Sequence, residues 1–226
     1  MTCFLLAGTE GTVRMFFTLL LLLRLASKGK QRGVTVSDCY SHVLSPLHRT
    51  LYDFISEKDW LLRGEARAKR FRPFLKRKGE VFVSGDYESA TDNLSVEVAE
   101  RILSRILTRS RSVPQSLREY ALCSLRATIS YPGGRVVHQR RGQLMGSYLS
   151  FPLLCLQNYL AFRFLTGPSL PVRVNGDDIV FRCRPSVYKV WAEGVGRLGL
   201  TLSAGKTMVD SRFFSLNSAF FEGQNG

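Results

Sequence analysis

Arg173-Val-Asn-Gly-Asp-Asp-Ile-Val-Phe181 sets two adjacent carboxylates beside an Asn-Gly pair, with apolar residues on both sides. Asn-Gly between apolar runs is a strong hairpin signal, because a tight primed turn needs positive φ at its centre. Such a turn carries Asp177 and Asp178 at its end, clear of the pleat. Taken alone, the stretch fits a solvated acidic turn better than a metal clamp. A divalent clamp needs a third carboxylate from elsewhere in the chain.

Val81-Phe-Val-Ser-Gly-Asp86 supplies one. It reads as a short β-branched and aromatic strand ending in an aspartate. A strand end beside a hairpin tip brings Asp86 and Asp177 close enough to share hard cations, the two-metal arrangement for in-line phosphoryl displacement. Asp92 and Asn93, a few residues on, also suit a helix N-cap.

The chain of 226 residues carries a formal net charge of +14, which predicts an electropositive surface and a polyanionic partner. RNA, DNA and an anionic membrane all satisfy that charge. Cys3, Cys39, Cys123, Cys155 and Cys183 are odd in number and form no C-x-x-C pair. This argues against a disulfide framework and a zinc site, and for a reducing compartment. The apolar run Met15–Leu23 falls short of the roughly 20 residues of a membrane-spanning helix. A buried helix is the preferred reading, ahead of a membrane anchor, and no stable membrane insertion is expected.

Further along, Pro46–Ile55 spaces Leu47, Leu51 and Phe54 at helical intervals, widened by Tyr52 and Ile55. A second amphipathic helix opens at Asn93 and Leu94, with Val98, Ile102, Leu103 and Ile106 on one face. Another follows Pro114, then a turn at Tyr131–Gly134 and a strand over Arg135–Gln139. The glycine-punctuated loop Gly142–Ser147 leads into a buried helix, Tyr148–Phe164. A helix near Val187–Leu198 stops at Gly199, and Lys206–Phe221 reads as strands. The order predicts an α+β fold, an antiparallel sheet with helices on one face.

Four stretches then carry a family resemblance: Gly85-Asp-Tyr-Glu-Ser-Ala-Thr-Asp-Asn93, Gly142-Gln-Leu-Met-Gly-Ser-Tyr-Leu-Ser-Phe-Pro152, Asn175-Gly-Asp-Asp178 and Leu198-Gly-Leu-Thr-Leu-Ser-Ala-Gly-Lys206. In this order they resemble motifs A, B, C and D of a viral RNA-directed RNA polymerase. Their wording is similar to that of the botourmiaviruses, relatives of narnaviruses, mitoviruses and RNA phages. The resemblance covers about residues 28 to 221.

It implies a polymerase palm with part of the fingers, and residue roles to match. Asp86 and Asp177 would bind two Mg²⁺ ions, with Mn²⁺ as a substitute, and Asp178 would be a more peripheral metal-side carboxylate. Asp92 matches the aspartate that reads the ribose 2′-hydroxyl of the incoming nucleotide, the group that separates RNA from DNA substrates. Gly146 and Ser147 match the flexible motif B loop that approaches RNA, and Ser150 the family's Ser/Thr position. Leu154 stands where many positive-strand polymerases carry Asn, so the nucleotide-binding role passes to Asn158, one turn further on; a plain core residue is the competing reading there. Lys206 matches the lysine proposed as general acid for departing pyrophosphate. Lys28, Lys30 and Arg32 resemble motif F, whose cations hold the ribonucleoside triphosphate. Arg63, Arg67, Lys69 and Arg70 lie in a basic run read as an RNA-backbone surface, with a merely solvated face as an even alternative. Phe213–Ser218 resembles motif E; its aromatics suit a core equally.

The expected division is an apolar leader (1–27), partial fingers (28–80), palm (81–212, with a fingers-like insertion at about 111–140) and motif E with a truncated start of a thumb (213–226). Template and nascent RNA are the expected partners and the host cell cytoplasm the expected location. Three rivals stand beside this reading. One is a reverse transcriptase, whose hairpin typically has an aromatic in place of Gly176. The others are an inactive RNA-binding fragment and a membrane-attached basic protein.

Overall fold

A computed structural model describes residues 19–27, 30–37, 39–131, 134–203 and 205–225. Strands β1 (Leu19–Ser27) and β2 (Lys30–Val36) pair antiparallel, and a 3-10 turn leads into helix α1 (Ser45–Ser56). The short strand β3 (Leu75–Lys76) precedes β4 (Val81–Gly85), one helical turn α2 (Ala90–Asn93), and helices α3 (Val96–Arg109) and α4 (Gln115–Cys123). Strands β5 (Thr128–Ser130) and β6 (Val136–His138) come next, then the long helix α5 (Ser150–Thr166). Strands β7 (Val172–Asn175) and β8 (Asp178–Cys183) form the hairpin, and helix α6 (Pro185–Val195) follows. The chain closes with β9 (Met208–Asp210), β10 (Phe213–Leu216), β11 (Ala219–Glu222) and β12 (Gln224–Asn225).

Two four-stranded sheets result, ordered β2-β1-β5-β6 and β7-β8-β4-β9. The second is antiparallel throughout, as expected. Its strands alternate between two cores, because successive residues of a strand face opposite ways. Val83, Ile179 and Phe181 pack with Phe162 of α5 and Trp191 of α6. Phe82 and Val180 face the other way, against Phe71, Phe74, Phe214 and Leu216. Helices therefore cover one face and the β10–β11 hairpin the other. Arg182, buried on that second face, donates to the Glu80 carboxylate at 2.5 Å and to the carbonyls of Pro73 and Leu75, so its charge is fully partnered.

Three expectations are corrected. The apolar run is not a helix where the structure describes it: Leu19–Ser27 is a central strand, paired with β2 on one edge and parallel to β5 on the other. An aperiodic apolar run fits either element, and here pairing partners exist on both sides. Residues Met15 to Thr18 lie outside the described residues. Helix α3 starts at Val96 rather than Asn93, because Ser95 caps it by accepting from the Val98 N–H at 3.2 Å. Its buried face is accordingly Val96, Ala99, Leu103 and Leu107, while Val98 is exposed. On α1 the buried stripe is Leu47, Leu51 and Ile55, and Phe54 is 57% exposed.

Candidate active site

The three carboxylates come from adjoining strand ends. Strand β4 pairs with β8 up to Gly85↔Ile179, so Asp86 leaves the sheet where the hairpin turns. The last hairpin pair is Asn175↔Asp178, which makes Gly176 and Asp177 the two turn residues. The turn thus sits one residue further along than Asn-Gly suggests: Asn175 is the last residue of its strand. Gly176 has φ +63° and no positive φ occurs at Asp177, the pattern in which glycine fills the first central position. A Cβ at Gly176 would also stand 3.1 Å from a ring carbon of Phe151.

Asp177 is exposed at the turn, and Asp178 and Asp86 are half-buried behind it. Burial, and then the charges of Asp177 and Asp86, push the Asp178 carboxyl up from its ordinary 3.8 to about 6. Lys206 offsets part of this, with Nζ 2.8 Å from Asp86 Oδ2. That hydrogen bond holds the Lys206 ammonium above its ordinary range. The loop carrying Lys206 is itself tied to Asp86, whose carbonyl accepts from the Ser203 N–H at 2.9 Å. A cluster of negative charge with one cation drawn onto it has the chemistry of a divalent-cation site. Among the described residues no group of three His, Cys, Asp or Glu side chains already converges as a metal cage.

Replacing Asp178 with Asn is expected to stabilise the metal-free protein at pH 8. Raising the carboxyl from 3.8 to about 6 corresponds to about 3 kcal/mol at full weight, and partial solvent access reduces that to about 1 kcal/mol, or roughly 2–4 °C. The folded pKa lies above the unfolded one, so protonation favours folding. The stability contribution is complete below about pH 4 and is lost as pH rises through 6. Melting curves in EDTA from pH 4 to 8 check this; a variant less stable than wild type at pH 8 contradicts it.

Asp92 sits exposed on the one-turn helix α2, and the loop after β6 is bolted to that turn. Gly142 N–H donates to the Leu94 carbonyl at 2.8 Å, and a Cβ at Gly142 would lie 2.6 Å from the Thr91 oxygen. Ser150 is buried at the start of α5, and Gly146 is exposed with Ser147 half-buried in the loop before it. The Ser37 hydroxyl, just after β2, donates to the Gly146 carbonyl at 3.0 Å.

Other sequence-predicted residues have surroundings of their own. Asn158 is no surface ligand: it is fully buried beneath the turn, its amide taken up by Tyr87 and by turn carbonyls. Arg70 is drawn off the basic run, because its guanidinium donates to the Leu61 carbonyl at 2.7 Å. Arg63 pairs with Asp53 and lies over the Tyr52 ring, and Arg67 pairs with Glu65. Lys69 is exposed. Lys30 and Arg32 lie on β2, whereas Lys28 is outside the described residues. Tyr87 and Cys155 were given no role by sequence reasoning. The pleat offers a signal for Tyr87, since a residue next to an outward-facing aspartate at a strand end turns inward.

Comparison with known proteins bears on the family and fold of the chain. A family model described as mitovirus RNA-dependent RNA polymerase matches residues 23–217. The RNA-dependent RNA polymerase of Ourmia melon virus is 34% identical over 162 residues, 62% of this chain and 19% of the relative. The chain spans about a fifth of the length of the curated relatives it matches. Among solved structures, the RNA-dependent RNA polymerase of a human picorbirnavirus superposes with a TM-score of 0.73 at 14% identity, covering 91% of this chain and 44% of that one. Apo telomerase from Candida tropicalis gives 0.69 at 13% identity, covering 96% of this chain and 48% of that one. At such identities the likeness is one of fold, which both kinds of polymerase share.

Proposed function

The chain belongs to the family of mitovirus RNA-dependent RNA polymerases, and on that premise we propose that its carboxylate centre carries out template-directed ribonucleotide transfer to a growing RNA. The observation that carries this reading is the position of Asp86, Asp177 and Asp178 at one sheet end, with Lys206 drawn onto Asp86. Asp86 and Asp177, with Asp178 behind them, would hold the divalent cations, Mg²⁺ or Mn²⁺. Bound there, the cations supply the charge that stabilises an in-line displacement at phosphorus.

The chain's own residues do the rest. The 3′-hydroxyl of the nascent strand gives up its proton to water and attacks the α-phosphate of the paired nucleotide, and the bond from that phosphorus to pyrophosphate breaks. Lys206, kept protonated by its bond to Asp86, would protonate the leaving pyrophosphate. Asp92 on α2, exposed beside the motif B loop, would accept a hydrogen bond from the ribose 2′-hydroxyl. Ser147, Ser150 and Gly146 line the approach of nucleotide and template, and Lys28, Lys30 and Arg32 would neutralise the triphosphate. Lys69 and its exposed basic neighbours would contact RNA backbone. Template sequence is read by base pairing, and the cytoplasm of the host is the expected setting.

Template-directed incorporation with ribonucleotides against deoxyribonucleotides tests the reading. Ribonucleotides are expected to be preferred, and Asp92→Ala to shrink that preference about 100-fold, the loss of a polar group that reads a substrate hydroxyl. Preferential use of deoxyribonucleotides by the wild type would overturn the proposal.

A further inference from the structure

Beneath the catalytic turn lies a polar network inside an otherwise apolar core. Asn158, on α5 two turns after Ser150, is 0% exposed and sits beside Leu154, Ala161 and Phe162. A buried amide is costly unless its hydrogen bonds are made, and here they are. Its Oδ1 accepts from the Tyr87 hydroxyl at 3.0 Å. Its Nδ2 donates to the Gly176 carbonyl at 3.0 Å and, at 3.4 Å, to that of Asp177. The Gly176 N–H in turn donates to Cys155 Sγ, one turn earlier on α5, at 3.3 Å. Both backbone polar groups of Gly176 are therefore held from below by one helix.

Resting on the function proposed above, we propose that Asn158, Tyr87 and Cys155 are positioning residues that set the separation of the Asp86 and Asp177 carboxylates. Tyr87 follows Asp86 directly and is 3% exposed, so its ring anchors the end of β4 in the core. Asn158 bonds that ring's hydroxyl on one side and the backbone of Asp177 on the other. One side chain thus touches the supports of both carboxylates, which come from strands 91 positions apart in sequence. The β4–β8 and β7–β8 ladders do not do this, because their last paired residues on β4 and β7, Gly85 and Asn175, precede both aspartates. Two hard cations shared between two carboxylates tolerate little drift in that distance.

Cation binding separates positioning from mere packing. Mn²⁺ is titrated into the whole chain, with free Mn²⁺ read by electron paramagnetic resonance and folding checked by melting. Asn158→Leu, close in volume, is expected to weaken Mn²⁺ binding by about 10-fold, the usual cost of losing a group that orients a ligand. Tyr87→Phe is expected to weaken it about 3-fold, as for one neutral hydrogen bond. In the double variant the Tyr87 change should add nothing, because its acceptor is already gone. Asp177→Asn serves as the control for the function itself. If the wild type binds no Mn²⁺, the function and this proposal fall together. If Asp177→Asn abolishes binding while folded Tyr87→Phe and Asn158→Leu bind like wild type, only the positioning role is lost. Should Asn158→Leu fail to fold, unchanged binding by Tyr87→Phe overturns the proposal by itself.

Discussion

Asp177→Ala and Asp86→Ala are each expected to lower Mg²⁺-dependent primer extension by about 1000-fold or more, in this chain or in a longer polymerase containing it. Each change deletes one of the two carboxylates proposed to flank the shared cations, which leaves Asp178 as the neighbouring acidic side chain that feels their charge. Asp178 cannot substitute fully, because burial and its two acidic neighbours already hold it near a pKa of about 6. Asp178→Asn should accordingly cost less, about 10-fold. None of the three should unfold the protein: removing one of several like charges from a crowded cluster relieves repulsion. Melting temperatures equal to or above wild type, together with lost extension, are the expected pair of results. Undiminished extension by either alanine variant would sink the two-metal assignment.

Much of this centre was legible in the sequence because its parts are local. A strand ending in Asp86, a glycine-bearing hairpin and a glycine-punctuated loop before a helix each declare themselves within ten residues. The stop at Gly199, φ +87°, is legible for the same reason, although it ends the 3-10 turn Gly196–Leu198 that follows α6 and not α6 itself. What sequence could not carry was mostly a matter of one-residue rotation or of distant partners. The turn slipped by one because Asn175 pairs with Asp178, and only the ladder decides that. Phe54 and Ile55 exchanged places because neighbouring apolar residues on a helix differ by 100° and the facing element chooses between them. Leu19–Ser27 has no period, so its strand state depended on β2 and on β5, more than 100 residues away. Basic residues look alike in a string, yet Arg70 is committed to the Leu61 carbonyl and Arg63 to Asp53. Asn158 sits on a helix legible from its apolar run, but its full burial and its contact with Tyr87 across 71 positions are set by packing that no local pattern shows.

Trp191→Ala is expected to produce the largest loss of stability, about 3–5 kcal/mol and roughly 10 °C in melting temperature. Trp191 is fully buried between α6 and the sheet, with its ring 4.8 Å from that of Phe181 and 6.3 Å from that of Tyr87. Its edge also fills the space over Gly85, where a Cβ would come within 2.8 Å of the indole. Truncation therefore opens a cavity directly under the residue that precedes Asp86, on the side from which Tyr87 anchors the strand. The indole N–H has no hydrogen-bond partner among the described residues, so only packing is lost, and an unpaired buried donor is removed with it. Trp191→Phe should consequently be mild, within about 2 kcal/mol, because the ring contact persists and the orphaned donor disappears. Urea unfolding compares the three proteins, and primer extension well below the melting point tests whether the alanine variant, though folded, has also lost activity. An alanine variant within 1 kcal/mol of wild type would mean that α6 does not support this end of the sheet. A stable but inactive one would mean that the indole holds Asp86 in place more than it holds the fold together.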